Sequence, residues 1–293
     1  MKRVCVFGEV LFDHFPDGSR VLGGAPFNVA WHLQAFGQSP AFISRVGDDT
    51  EGAAIRKAMQ EWGMDTGSLE VDSEHPTGRV DVALVDGEPS YDIVRPCAWD
   101  AIEAGQGGAG CNILYHGSLA LREAASREAL ARVKRHAPGI VFVDVNLRSP
   151  WWTRDRVLAL MESAHWVKLN HEELALLLPT GTPDTDSARA FIEEHGLQGV
   201  VLTHGGSGAE ILAGDGAHAS ITPEPAIKIV DTVGAGDAFA SVIILGLANG
   251  WPLDTMLARA QSFASRIVGQ RGATVSDSNF YRPFIESWNL DRQ

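Results

Sequence analysis

From Cys111 to Gly205 the chain alternates between two textures, and this alternation restricts the fold more than any other feature. "CNILYHG", "GIVFVDVN", "HWVKLN" and "GVVLTHG" are short apolar, β-branched runs. Between them, "LREAASREALARVKRHA" and "DRVLALMES" space their apolar residues as helices do. Strands regularly separated by helices indicate a parallel sheet with helices on both faces. The first third has the same texture: "KRVCVFGEV" is a first strand and "APFNVAWHLQAFG" a helix stopped by Gly37. "AFISRVG" follows as a strand, and "TEGAAIRKAMQEWG" as a helix ending at Gly63. Residues 76–95 break the rhythm. "TGRVDVALVDGEPSYDIV" shows two strand-like runs around Asp86-Gly87, a hairpin signal that predicts a projecting flap. "AEILAGDGAHASIT" reads as a second hairpin. Two C-terminal helices are expected, one after Gly236 and one from about Asp254 to Val268.

With no internal repeat and no linker-like stretch, residues 1–293 are expected to form one α/β domain. The formal net charge of −13 and the lack of a basic run argue against nucleic acid or an anionic membrane as partner. The chain starts on basic residues, but Gly8 and Glu9 interrupt any signal-like apolar core. No stretch nears the roughly 20 apolar residues of a membrane span. Cys5, Cys97 and Cys111 are odd in number and far apart, with neither zinc nor disulfide spacing. The expected location is cytoplasmic, with reduced thiols.

In open α/β sheets, ligands gather beyond the carboxyl ends of the strands. The polar residues just past those ends are Asp13, Asn146, Arg148, Asn170, Glu173, Thr203 and Asp231. "DTVGAGDAF", residues 231–239, adds a glycine pair and a carboxylate directly before an apolar helix. Gly234 and Gly236 let the backbone aim several N–H groups into one space, with the positive end of the helix behind them. Asp237 then stands in the first turn, beside an anion hole. A carboxylate that takes a hydroxyl proton next to amides that hold a moving phosphoryl group are the two halves of a phosphoryl transfer. An acid that only complements a helix dipole, beside glycines required by a tight turn, fits the same letters.

"DTVGAGDAF" resembles the C-terminal signature of the PfkB/ribokinase family of carbohydrate kinases, and "GGAPFNVAWHLQAFG", residues 23–37, its N-terminal signature. "PTGRVDVAL", "DVNLRSPWW", "KLNHEE" and "LTHGGSGA" follow in the family's order, so the resemblance covers nearly the whole chain. The combination "GEVLFD…GGAPFNVA…HPTG…AWD" is most similar to bacterial fructokinases.

The resemblance implies a Rossmann-like ribokinase fold with a small β lid, formed mainly by about 76–97 with a contribution from about 13–22. It implies ATP and Mg²⁺ as cofactors, with K⁺ as a further candidate, and a small sugar as substrate. Lids in the family often pair between subunits, which suggests a homodimer. Asp237 would be the general base, and Gly234, Ala235 and Gly236 would supply the anion-hole amides. Asp13, Gly23, Gly24 and Asn28 would hold the sugar; as residues alone, Asn28 is equally a helix N-terminal polar group. Arg148 suits a phosphate or a sugar oxygen, or a surface ion pair. Asp144 and Asn146 are weaker candidates on the same strand end. Asn170 and Glu173 match an NxxE motif that helps organise magnesium, often through water, although a helix capping box has the same spacing. Lys168 would reach a phosphate or be solvated. Thr203, Gly205 and Gly208 would pack near the nucleotide phosphates, and Gly272 near adenine. Asp231, Val233 and Ser276 would shape a potassium site. Tyr91 and Trp99 are placed either on the sugar face of the lid or in its core, and Trp151-Trp152 in packing.

Fructose is the first acceptor expected, with 2-keto-3-deoxygluconate, ribose or another ketose next. A nucleoside is less expected, and so is a sugar phosphate, which would want more basic residues than Arg148 and Arg79. An inactive sugar- or nucleotide-binding regulator conflicts with the intact Asp237 and its glycines. A Rossmann dehydrogenase conflicts with "FGEVLFD", which has no GxGxxG after the first strand.

Overall fold

In the first strand, Val4-Cys5-Val6-Phe7, every side chain is buried, with Val4 and Val6 in one core and Cys5 and Phe7 in another. Successive strand residues face opposite ways, so a strand without an exposed position needs cover on both sides. The structure is a computed structural model that describes residues 2–85, 88–105, 107–136, 138–179, 182–223 and 229–290.

The first half contains β1 (Val4–Phe7), β2 (Leu11–His14), β3 (Arg20–Gly23), α1 (Ala25–Ala35), β4 (Ala41–Gly47), α2 (Thr50–Glu61), β5 (Leu69–Asp72), β6 (Gly78–Val85), β7 (Glu88–Ile93), β8 (Ile113–His116), α3 (Ala124–Lys134) and β9 (Ile140–Asp144). The second half contains α4 (Arg154–Met161), β10 (Trp166–Asn170), α5 (His171–Leu177), α6 (Thr185–His195), β11 (Gly199–Thr203), β12 (Ala209–Ala213), β13 (His218–Ile221), α7 (Ala235–Asn249), α8 (Leu253–Ile267) and α9 (Ser278–Trp288).

Nine strands form one sheet in the order β13-β12-β11-β10-β9-β8-β1-β4-β5. It is parallel from β5 to β11, and the β12–β13 hairpin closes it antiparallel. One face is covered by α1, α2, α7, α8 and α9, the other by α3, α4, α5 and α6. The residues expected to form the flap make a separate sheet, β3-β2-β6-β7. Its β2–β3 and β6–β7 pairs are antiparallel and its β2–β6 pair is parallel. The Asp86-Gly87 turn on which the hairpin was read lies outside the described residues.

Several elements differ from the sequence reading. The first strand already ends at Phe7, and β2 and β3 were not read as strands: the chain leaves the large sheet at Gly8 and enters the small one at Leu11. β5 is a short edge strand whose "LEVD" carries little apolar signal. A third C-terminal helix, α9, forms although Pro283 lies inside it. Tyr281, Phe284 and Trp288 of that helix pack against Phe36 and Phe263, and this aromatic contact outweighs the poor helix signal.

Asp49 fixes the approach to the small sheet. Its Oδ1 caps α2 by accepting from Gly52 N at 2.7 Å, and also accepts from Thr77 Oγ1 at 2.7 Å. Its Oδ2 accepts from Thr77 N at 2.8 Å, one residue before β6. Asp49→Ala removes a cap and strands the Thr77 amide, so urea unfolding should show a loss of about 1–2 kcal/mol. Unchanged stability would show that this clamp is ornamental.

Candidate active site

The parallel strands end in register. Lys168 on β10 lies beside Asp144 on β9, and Asn170 beside Thr203 on β11. Asp144 is buried, and both its oxygens accept from Lys168 Nζ at 2.9 Å while Oδ2 also accepts from Tyr115 Oη at 3.3 Å. Lys168 is therefore neither solvated nor free for a phosphate alone: it is 7% exposed and committed to Asp144. Burial by itself would lower the Lys168 pKa, but the adjacent Asp144 carboxylate leaves it above its usual value. Removing either partner would leave a buried charge uncompensated.

The positive φ of Gly234, +78°, turns the chain into α7, and a Cβ there would overlap Ala273. This position needs glycine for both reasons. The amide of Ala235 donates to Thr232 O at 3.3 Å. Among the described residues, the amides of Gly234, Gly236 and Asp237 have no protein acceptor. The Ala235 amide is thus engaged within the turn, while its neighbours point away from any described acceptor. A Cβ on Gly236 would lie 3.6 Å from Lys168 Nζ, which places that ammonium beside these amides.

Asp237 Oδ2 accepts from Asn28 Nδ2 at 2.8 Å, joining residues 209 positions apart. Asn28 reaches it because α1 starts at Gly24, whose φ of +108° and contact with the Glu9 carbonyl admit no side chain. Burial pushes the Asp237 carboxyl up to about 6. The Asn28 hydrogen bond and the charges of Lys168 and Arg148 oppose the shift, and Asp144 adds to it.

Asp13 Oδ2 lies 3.6 Å from where a Cβ of Gly23 would be. Burial raises its pKa, and Arg148 and His14 lower it. Arg148 is exposed and bears electrostatically on Glu9, Asp13 and Asp237, yet among the described residues it forms no ion pair. Its surface-ion-pair reading is thereby set aside.

Glu9 is the acid that sequence reasoning missed. It is 2% exposed, and its Oε2 has no hydrogen-bond partner among the described residues. Burial pushes its carboxyl up to about 7; the Arg148 charge and the Ala120 backbone pull it down and Asp237 pushes it up. The signal was present as an ionisable residue inside the otherwise apolar "VFGEVLF".

Asn170 and Glu173 form a complete capping box on α5. Asn170 Oδ1 accepts from Glu173 N at 2.8 Å, and Glu173 Oε2 from Asn170 N at 2.9 Å. Glu173 Oε1 also accepts from Leu147 N at 2.8 Å, so this acid pins the loop that carries Arg148. Beyond β11, His204 N donates to Gly208 O at 2.8 Å, which closes the turn containing Gly205. Asp231 Oδ1 accepts from Val233 N and Oδ2 from Gly272 N, each at 3.0 Å. Val233 and Ser276 are exposed, and no hydrogen bond joins Ser276 to Asp231 among the described residues.

Register also separates residues that the sequence left together. Val21, Asp13, Val80, Val82 and Tyr91 share one face of the small sheet. Tyr91 is 60% exposed there, whereas Trp99 is fully buried beneath the sheet. Arg79 is on the opposite face and pairs with Asp81 at 3.3 Å, so it is not beside Asp13. A cavity of about 340 Å³ lined by His14, Glu51, Thr77 and Arg79 lies on that far face and contains none of the residues around Asp237.

The comparison with known proteins agrees with this geometry. Residues 1–279 match the pfkB family carbohydrate kinase. A fructokinase of Klebsiella pneumoniae is 34% identical over 89% of this chain and 90% of its own length. The aminoimidazole riboside kinase of Salmonella typhimurium is 30% identical over 99% of this chain and 94% of its own. A double-mutant fructokinase of Vibrio cholerae O395, solved with fructose, ADP and potassium ion bound, superimposes with a TM-score of 0.79 at 25% identity, covering 96% of this chain and 98% of that one. The chain belongs to the pfkB family of carbohydrate kinases, phosphotransferases that act on a sugar hydroxyl.

Proposed function

We propose that the chain transfers the γ-phosphoryl group of ATP to a hydroxyl of fructose, giving fructose 6-phosphate and ADP. The observation that carries the reading is Asp237: a carboxylate held by Asn28 through one oxygen, at the mouth of unpartnered amides. Asp237 Oδ1 is left to take the proton of the sugar hydroxyl. As that O–H bond breaks, the hydroxyl oxygen bonds to the γ-phosphorus and the bond to the β-phosphate oxygen breaks, releasing ADP. Charge on the moving group falls on the amides of Gly234, Gly236 and Asp237, with Lys168 beside them. Arg148, free of ion pairs, orients a phosphate or sugar oxygen. Asp13, Gly23, Gly24 and Asn28 take the sugar.

The small sheet acts as a lid over the sugar, with Tyr91 on the covering face; closure excludes water as a competing acceptor. Pairing of two such sheets, through the exposed Val21 and Tyr91, would give a homodimer. Thr203, Gly205 and Gly208 flank the nucleotide phosphates, and Gly272 lies toward the base. A divalent cation on the nucleotide supplies charge neutralisation when bound. Glu173 would fit such an ion through a bound water, since each of its oxygens already accepts a backbone N–H group and keeps a lone pair for a further contact. The potassium seen in the Vibrio cholerae enzyme supports a similar ion near Asp231 and Val233. We place the reaction in the cytoplasm, since all three cysteines are free and buried, as reduced thiols are. A riboside acceptor is the second reading, favoured by the match to the Salmonella typhimurium kinase.

ADP release with Mg²⁺-ATP and a panel of fructose, ribose, 2-keto-3-deoxygluconate and aminoimidazole riboside tests the acceptor. Turnover greatest on fructose is expected, and turnover on another member alone would move the substrate assignment. EDTA should abolish the activity and added Mg²⁺ restore it; turnover that survives chelation would refute the metal assignment.

Asp237→Asn should keep ATP and sugar binding but cut kcat by about 10²–10⁴-fold. Wild-type-like turnover in that variant would remove Asp237 as the base. The base must be ionised to work, so activity is lost as pH falls through its pKa. The acid limb of kcat/KM should therefore centre near 6. A limb near 4 would mean that the buried carboxyl is not the group titrating.

A further inference from the structure

The small sheet returns to the body of the molecule through residues 93–100, and the buried Arg122 holds this return. Its Nη2 donates to Val94 O at 2.8 Å, just past the end of β7. Nε and Nη2 also donate to Asp100 Oδ1 and Oδ2, at 2.6 and 2.8 Å. The guanidinium lies 4.0 Å from the centre of the Trp99 ring and 4.7 Å from that of Trp151. Trp99 in turn fills the space beside Gly78, the first residue of β6, where a Cβ would overlap its indole. Trp151 belongs to a different part of the chain: its amide donates to Arg148 O at 2.8 Å. One planar cation thus touches both the base of the small sheet and the loop that carries Arg148.

We propose that Arg122 is a positioning residue that couples the seating of the small sheet to the placement of Arg148, with Trp151 as the intermediate. This rests on the kinase reading for its consequence in turnover, though not for the mechanical link itself. Pairing with Asp100 alone would neutralise the buried charge. The bond to Val94 O and the stack on Trp151 are additional, and they lead in two directions from one side chain. A lysine would keep the charge but lose the fork and the flat face. If the sheet moves over the sugar, the loop bearing Arg148 moves with it, so the sugar, which meets both the sheet and that loop, is affected more than the nucleotide.

The link is tested by disturbing one end and reading the other. In Trp151→Leu, hydrogen exchange should quicken at least fivefold at the amides of Val94, Cys97 and Ala98, whose acceptors are Arg79 O, Asp100 Oδ2 and Pro76 O. Amides of β10 and β11 should be unchanged. Quickening confined to 147–153 would overturn the proposal. This measurement uses no substrate, so it stands even if no sugar is turned over. In Arg122→Lys, the acceptor KM should rise at least tenfold, with kcat within threefold and the KM for ATP within twofold of wild type. Unchanged acceptor KM, or equal rises for sugar and ATP, would reduce Arg122 to a structural ion pair. Should Arg122→Lys not fold, the Trp151→Leu exchange pattern decides alone.

Discussion

The site depends on one hydrogen bond across the chain, from Asn28 on α1 to Asp237 on α7. Each residue sits in the first turn of its helix, and each helix begins at a glycine with positive φ. Two tight starts thus bring an amide and a carboxylate together. α1 also steadies what lies behind Gly234: His32 Nε2 and the Trp31 indole N–H each lie 3.0 Å from a carbonyl of the loop that packs on it, Ala273 O and Val275 O. Burial keeps His32 neutral, with its pKa down to about 3, so this contact does not bring a charge into the core. The N-terminal and C-terminal motifs are one structural unit because α1 packs directly on α7.

The parallel sheet and the second hairpin were legible because period and glycine punctuation carry them locally. What was not legible depended on partners distant in sequence. Nothing near Lys168 says that Asp144 will lie beside it, since their pairing follows from the β9–β10 register. NxxE left a capping box and a metal contact equally open, and only the positions of the Asn170 and Leu147 amides show that Glu173 serves the backbone with both oxygens. Tyr91 and Trp99 differ because one is held in a strand by register and the other lies under Arg122. α9 was hidden by Pro283 and revealed by aromatic packing that spans the whole chain. Glu9 was passed over because its neighbours are those of a plain core strand.

On the proposed reading, the charges around Asp237 explain how an aspartate there could act as a base beside phosphates. Four acids, Glu9, Asp13, Asp144 and Asp237, share the space with two cations, Lys168 and Arg148. Lys168 is taken by Asp144, so its charge offsets that neighbour before it reaches the base. Had it paired with Asp237 instead, the carboxylate would have been held fully ionised and weakly basic. The pairing thus leaves Asp237 raised to about 6, close enough to neutrality to accept a proton and still largely ionised at pH 7. The same arrangement leaves no excess positive charge for a triphosphate among these side chains. On the proposed reading, most of that charge would arrive with the nucleotide, as its bound divalent cation, and the protein would add directed amides, with Lys168 already offset by Asp144. A site built this way would disfavour free ATP and favour its metal complex, and so would tie phosphoryl transfer to the form of the nucleotide whose phosphate charge is already partly offset.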